Sequence, residues 1–476
     1  MGPDTDILTR GSVTEILQTA AGLLVLVATL AAARHALFFK RQPRSAQAWL
    51  LFILLLPPIG ALFYYLLGVN RVRTRARKLK GVDPVEAVSR PSPVDLRYGQ
   101  LECLGRALSG RPLAPGNRVT VLQDGEAAYP AMIAAIEAAE ESIWLSTYIF
   151  DPDRVGEAFI AALARAVERG VRVRVLVDGV GELYALPHRV TPRLRAVGVP
   201  NARFLPPRFL PPVSWMNLRN HRKVLTVDDR VAFTGGMNLS VRHCTGDGQR
   251  HRATDVHFRL EGPVAAQLAE VVAEDWHFVT GEESPPPKVA EPVGEADCRV
   301  VVDGPNEDLD RLKLLLVGAV ATAKRRVAIM TPYFLPPREL IAALQAAALR
   351  GLEVDLLLPA RNNLPYVHWA TRNMLWEVLQ WDVRVHYQPP PFAHGKLFLV
   401  DGEYAVVGSA NLDPRSLRLN FELVVETWDP ETVTGLQRHF DTLLARSRPV
   451  TLAEVDGRPW YERLRDASAW VFSPYL

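Results

Sequence analysis

Two distant stretches of this 476-residue chain carry the same residues at the same spacing. The first is His221-Arg222-Lys223, four residues, Asp228, then Gly235, Gly236 and Asn238; the second is His394-Gly395-Lys396, four residues, Asp401, then Gly408, Ser409 and Asn411. Every offset from His through Asn agrees, whereas an isolated His-x-Lys is common by chance and usually marks a solvated strand edge. Such registration predicts a duplicated unit. The flanks repeat too. Strand-like Val119 to Leu122, an Asp124-Gly125 turn, a helix from Ala131 to Glu140, a strand from Ile143 to Phe150, a helix from Gly156 to Arg169 and a strand from Val171 to Asp178 make up the first copy. The order recurs with a strand from Arg299 to Val302, an Asp303-Gly304 turn, a helix before Arg325, strand Val327 to Phe334, a helix to Arg350 and strand Glu353 to Pro359. β-branched runs alternating with Ala/Leu-rich helices mean an α/β fold of two similar halves. The expected boundaries are 1–80, 81–281, a proline-rich linker at 282–298, and 299–476.

Charge separates the first segment from the rest. Residues 1–80 hold 11 Lys/Arg against 3 Asp/Glu, leaving the other 396 residues with 44 basic and 49 acidic side chains, a balance of −5. Nucleic-acid affinity comes mostly from neutralised phosphates, so bulk nucleic-acid binding is disfavoured. Cys103, Cys244 and Cys298 are odd in number and scattered, which suggests neither a disulfide framework nor zinc. The same segment contains two uncharged apolar runs, Ile16 to Ala33 and Trp49 to Val69, each near the roughly 20 residues that span a bilayer. Asp4, Asp6 and Glu15 before the first run argue against a cleaved signal peptide. Pro57, Pro58 and Gly60 interrupt the second run, kinking a spanning helix or making it re-entrant; a transmembrane hairpin is the expected arrangement. Six basic residues from Arg71 to Lys80, against Arg34, Lys40, Arg41 and Arg44 between the runs, favour a cytoplasmic catalytic region and attraction to anionic lipids.

Read as strands, His221, Lys223 and Leu225 share one face, as do His394, Lys396 and Phe398, so His and Lys point the same way. Two histidines, two lysines and two asparagines suit phosphodiester chemistry. One imidazole attacks phosphorus, another group protonates the departing alkoxide, and cations hold the nonbridging oxygens. No metal is needed for charge stabilisation and no cofactor is expected. The other nine histidines, His243, His251 and His257 among them, are read as surface or packing residues. Tyr148 and Tyr333 are read as core packing, and the proline-rich apolar stretch Phe204 to Met216 as a loop touching the bilayer.

The doubled motif with its Gly-Gly/Ser-x-Asn tail resembles the phospholipase D superfamily. Ala48-Trp49-Leu50-Leu51, Pro57-Pro58-Ile59-Gly60, Asn220-His221-Arg222-Lys223, Asp413-Pro414-Arg415-Ser416, Asn420-Phe421-Glu422 and the closing Ser473-Pro474-Tyr475-Leu476 narrow the likeness to bacterial cardiolipin synthases, over nearly the whole chain. The resemblance implies phosphatidyl transfer between two phosphatidylglycerol molecules through a phosphohistidine, at the inner membrane, with phosphatidylethanolamine an alternative donor and a hydrolytic phospholipase D the rival reading. It implies a catalytic set of His221, Lys223, Asp228, His394, Lys396 and Asp401, with His221 as nucleophile, His394 as acid and base, and the two aspartates ordering the motif. Asn238, Asn411, Gly236 and Ser409 would bind phosphate, and the loss of a hydroxyl at Gly236 would matter little. Glu422 would orient a motif histidine, with Asp255 its counterpart for the first half. Oligomeric state is not specified.

Overall fold

The computed structural model describes residues 4–40, 43–68, 99–207, 218–246, 252–305 and 310–473. The basic stretch 71–80, the whole connector after it, residues 208–217 of the proline-rich loop, His251 and the last three residues lie outside the described residues. The chain divides into two units, Met1–Arg75 and Ala76–Leu476.

In the first unit a helix runs from Asp4 to Phe39, and its Leu17–Phe39 portion, 23 residues, is long and apolar enough to cross a membrane. The second apolar run is not one helix. It forms Pro43–Leu55, breaks at Pro57-Pro58, and resumes as Ile59–Phe63 followed by a π-helical turn, Tyr64–Gly68. Two consecutive prolines remove two backbone donors and clash with the preceding turn, which ends the first piece. At 13 residues that piece rises only about 20 Å, short of a roughly 30 Å hydrocarbon core. Among the described residues one helix, not two, therefore meets the length and composition of a span.

The second unit is built on strands β1 (Ala114–Gln123), β2 (Ser142–Thr147), β3 (Arg172–Asp178), β4 (Asn201–Phe204), β5 (Val224–Val227), β6 (Val231–Gly235), β7 (Ala253–Thr254), β8 (Val256–Glu261), β9 (Ala296–Asp303), β10 (Arg326–Met330), β11 (Glu353–Pro359), β12 (Arg384–Gln388), β13 (Phe392–Ala393), β14 (Leu397–Val400), β15 (Tyr404–Gly408), β16 (Glu422–Trp428) and β17 (Arg448–Val450). All but β7 and β13 form one sheet, ordered β17-β12-β11-β10-β14-β15-β16-β9-β1-β8-β6-β5-β2-β3-β4. Read outward from the β9–β1 seam the two sides match strand for strand through β4 and β12, and β17 is one further strand at the edge of the second half. β2 lies between parallel β3 and antiparallel β5, as β10 lies between parallel β11 and antiparallel β14.

Alternate side chains bury both faces. Ile143, Leu145, Val173 and Val175 pack with helices Asp124–Glu137 and Arg154–Glu168, and Val327, Ile329, Val354 and Leu356 pack with helices Arg311–Thr322 and Arg338–Leu349. Helices Val264–Thr280 and Pro430–Ala445 cover the opposite face along the seam. Two sequence readings shift. The Asp124-Gly125 pair opens a helix rather than a turn. β9 opens at Ala296, inside the expected linker, because Asp297 and Cys298 pair with Trp428 and Thr427 across a buried ladder that their polar neighbours concealed.

Candidate functional site

The motif histidines and lysines precede the strands rather than lying in them: β5 starts at Val224 and β14 at Leu397. What fixes these extended approaches is backbone pairing with the other half. The His221 N–H donates to the Phe421 carbonyl (3.0 Å), and the His394 N–H donates to the Thr254 carbonyl (2.8 Å). Phe421 and Thr254 immediately precede Glu422 and Asp255. Each histidine thus lies beside the carboxylate of the opposite half.

The side chains complete that crossing. His221 Nδ1 is 2.9 Å from Glu422 Oε1, and His394 Nδ1 is 2.7 Å from Asp255 Oδ2. Asp255, expected to serve the first half, serves the second half's histidine; sequence distance within a repeat cannot show that partners exchange across a two-fold relation. With Nδ1 engaged by the carboxylate, Nε2 is the ring atom for chemistry, and at His394 it lies 3.3 Å from Lys396 Nζ.

Burial lowers the pKa of both imidazoles, His394 the further because Lys396 and Lys223 repel its charged form. Burial brings Lys223 down to about 7 and also lowers Lys396. The carboxylates diverge. Burial raises Asp255, whereas His221, Lys223 and Ser409 overcome the same penalty at Glu422 and hold it below its ordinary value. Lys223 Nζ and Lys396 Nζ each donate to the carbonyl of their own motif histidine, both at 2.7 Å, so the paired cations sit under the rings.

Four expected site residues take other positions. Asp228 and Asp401 lie beyond the far ends of β5 and β14, about 16 Å along the strand from the lysines. Their backbones are left-handed, at φ 53° and 57°, and their carboxylates accept the N–H groups of Glu140, Glu141 and Ser142, and of Lys324, Arg325 and Arg326. They anchor the starts of β2 and β10 and do not reach the site. Ser409 is buried behind Glu422, donating to its Oε2 at 2.6 Å. At Gly236 an added Cβ would stand 2.4 Å from Asp255 Oδ2, so the carboxylate fills the space a serine would need. Neither residue lines the pocket, and the missing hydroxyl matters because a side chain there would displace Asp255.

A cavity of about 500 Å³ opens over the histidines and includes Asn238 and Asn411 in its wall. Asn238 Oδ1 accepts the Ile149 N–H, and Asn411 Nδ2 donates to Ser416 Oγ, leaving Asn411 Oδ1 buried without a partner among the described residues. Tyr148 and Tyr333 line this cavity, and Tyr333 also packs against the core of the second half. The Tyr148 ring stands edge-on to His221 at 5.3 Å with Lys223 Nζ over its face, and Tyr333 donates to Asn363 Oδ1. Both phenols are pushed up by burial. The strands end at Thr147 and Met330, just short of the two rings, which is why a strand reading packed them inside. His243 and His257 are buried, at about 3 and about 4 respectively because of that burial; His243 Nε2 faces the Asn238 N–H.

Arg242 and Arg415 also line the cavity, with Asp413 and Ser416, and were not recognised from the sequence. The signal was present: the 173-residue offset between His221 and His394 also relates Asn238 to Asn411, Leu239 to Leu412 and Arg242 to Arg415.

Doubled histidines held by exchanged carboxylates, at the junction of two α/β halves, form a phosphodiester site of the phospholipase D type. The family described as "Cardiolipin synthase, PLD-like domain" matches residues 132–276 and 316–444, and "Phospholipase_D-nuclease N-terminal" matches 27–68. A cardiolipin synthase A of Pseudomonas putida strain W619 is 33% identical over 95% of this chain and 97% of its own. A cardiolipin synthase of Geobacillus kaustophilus is 31% identical over 92% and 90%. The chain belongs to the cardiolipin synthase family, phosphatidyltransferases of the phospholipase D superfamily. A phosphatidylserine synthase of Haemophilus influenzae shares the fold, with a TM-score of 0.58 at 14% identity over 79% of this chain and all of its own. The N-terminal apolar helix and the family make it a membrane protein.

Proposed function

We propose that the protein transfers the phosphatidyl group of one phosphatidylglycerol to the hydroxyl of another, releasing glycerol, through a phosphohistidine. The observation that carries this reading is the exchanged pairing of two imidazoles with two buried carboxylates, both imidazoles lining one cavity.

His221 is the nucleophile. Glu422 receives bonds from His221, Ser409 and Asn420, which keep it ionised and raise the donor strength of the His221 ring. In the first step His221 Nε2 bonds to phosphorus, the P–O bond to glycerol breaks, and His394 supplies that oxygen's proton. In the second, an acceptor hydroxyl oxygen bonds to phosphorus, its proton returns to His394, and the P–N bond breaks. In the free protein burial, and then the charges of Lys396 and Lys223, hold His394 neutral, so it must take up one proton from solvent as substrate binds; that proton goes to glycerol in the first step and is replaced from the acceptor hydroxyl in the second. A bound phosphate offsets those charges, so substrate itself raises the acid's pKa where a proton is needed. Asn238 and Asn411, in the cavity wall, supply amide groups for the nonbridging oxygens, and Lys223 and Lys396, buried behind the wall, supply positive charge.

We place both N-terminal apolar segments in the inner membrane, with the second unit in the cytoplasm, on the six-against-four bias of basic residues. The test is mass spectrometry of products from the detergent-purified protein given phosphatidylglycerol alone in the presence of a chelator. Cardiolipin and glycerol in equal amounts are expected. Phosphatidic acid with glycerol would make water the acceptor and the protein a phospholipase, and no turnover would overturn the histidine chemistry.

A further inference from the structure

Resting on that reading, an acceptor lipid brings a phosphodiester of its own, separated by one glycerol from the phosphorus it attacks. A site that joins two such lipids needs a second anion subsite beside the first. The histidines, lysines and asparagines belong to the reacting phosphate, being matched in pairs about it. The cavity wall holds three further cations, Arg219, Arg242 and Arg415. Arg219 is engaged elsewhere: it is almost wholly buried, 3.2 Å from Asp178 and bonded to the Leu205 carbonyl.

The other two are the last matched pair of the duplication. Each lies four residues beyond its motif asparagine, so both flank the cavity outside the asparagines. Arg242 is 55% exposed and reaches Asp151 at 4.0 Å. Arg415 is half-buried and makes no ion pair or side-chain hydrogen bond among the described residues. Its segment is fixed from below, because Asp413 accepts the Ser416 N–H at 2.7 Å and the Arg415 carbonyl accepts the N–H groups of Leu419 and Asn420. A guanidinium on a fixed backbone, near the Asp413 carboxyl but with no hydrogen bond to its fork among the described residues, matches the two nonbridging oxygens of a phosphodiester.

We propose that Arg242 and Arg415 form the subsite for the acceptor lipid's own phosphate, with Arg415 the principal contact, and that this subsite directs transfer to a phospholipid in preference to an uncharged alcohol or water.

Two reactions separate this subsite from the reacting centre. Cardiolipin formation from phosphatidylglycerol needs a phosphate-bearing acceptor; exchange of isotopically labelled glycerol into phosphatidylglycerol uses the same histidines with an uncharged one. In Arg415→Gln, cardiolipin formation is expected to fall roughly 10- to 100-fold, the loss of one charge-assisted contact, through a higher KM for acceptor. Glycerol exchange falls far less, and phosphatidic acid rises relative to cardiolipin. Arg415→Lys recovers part of the loss, and Arg242→Gln, altered at an exposed position, shows the same selectivity more weakly. Equal loss of both reactions in Arg415→Gln and Arg242→Gln would overturn the proposal, as would unchanged cardiolipin formation. Glycerol exchange by the unaltered protein without any cardiolipin would instead overturn the functional reading on which the subsite rests.

Discussion

The two halves of the site share a backbone and differ behind the histidines. Behind His394 stands Asp255, with Gly236 opening the space it occupies; behind His221 stands Glu422, one methylene longer, held by Ser409 and Asn420. In both, the backbone bond from histidine to the residue before the carboxylate sets the approach, so the side chains had only to fill a fixed gap. A short acid fills it alone. A longer one has freedom to lose and is tied laterally. The electrostatic result is unequal: the same burial that raises Asp255 is overcome at Glu422. Near-symmetry in sequence therefore hosts two imidazoles with different support, as a nucleophile and a proton carrier require.

The largest effects come from removing either ring. His221→Ala and His394→Ala should each lower cardiolipin formation by roughly 10²- to 10⁴-fold. The inequality is sharpened by what accumulates. After a denaturing quench at neutral to mildly alkaline pH, which spares the P–N bond, intact-mass measurement should find a phosphatidyl adduct on His394→Ala, which forms it slowly without its acid and cannot discharge it without its base, and none on His221→Ala. The opposite pattern would exchange the two roles.

Next comes the attempt to give the first half the second half's residue. Gly236→Ser puts a Cβ where Asp255 Oδ2 already lies, so the carboxylate must leave His394. A loss of roughly 10- to 100-fold in kcat is expected, in the range for displaced supporting groups, with little change in KM. Moving the whole device, as Gly236→Ser with Asp255→Glu, should recover part of that loss. If the single change were silent, the carboxylate would not be what holds His394.

How much of this was legible in the sequence depends on whether the information was local. The repeated motif gave the paired halves and put His221, His394, the lysines and the asparagines at one place, because identical spacing carries identical local structure. It could not show that Asp255 and Glu422 are exchanged, since that follows from strands meeting across the seam. Motif membership also misled. Asp228 and Asp401 recur with the histidines because they start the neighbouring strands, and Ser409 recurs because it ties Glu422. Tyr148 lies one residue past its strand end and lines the cavity, Tyr333 serves both core and cavity, and Arg242 and Arg415 were missed by stopping the comparison at the asparagines. The second apolar run satisfied composition but not continuity, which its two prolines decide.

The halves should also differ in their response to acid. Opposite Gly235, β8 carries buried His257, where the second half has Val424 opposite Gly408. His257 has a folded pKa of about 4 against 6.5 when exposed, so the unfolded chain binds the extra proton. Its contribution is fully present above pH 6.5 and is lost as pH falls toward 4, reaching about 2 kcal/mol at pH 5. His257→Val, the second half's own residue, should therefore flatten the decline in urea-unfolding free energy between pH 7 and 5 by about that amount. An unchanged slope would move the acid sensitivity elsewhere.

The smallest effect expected tests the lateral tie itself. Ser409→Ala leaves Glu422 bonded to His221 and Asn420 but takes away the hydroxyl at 2.6 Å, and burial, still present, then moves the carboxyl upward toward the condition of Asp255. The loss at neutral pH should be about tenfold or less, since one of three donors is gone and the ring stays in place. The more telling readout is the acid limb of the pH profile. Glu422 supports His221 only when ionised, so a raised pKa makes activity fail at a higher pH than in the unaltered protein, whereas a purely structural loss lowers the whole profile without displacing it. A displaced limb would show that the serine present in one half and absent from the other sets which histidine is the better nucleophile; a profile lowered but not moved would leave the two carboxylates electrostatically equivalent and the comparison a matter of packing alone.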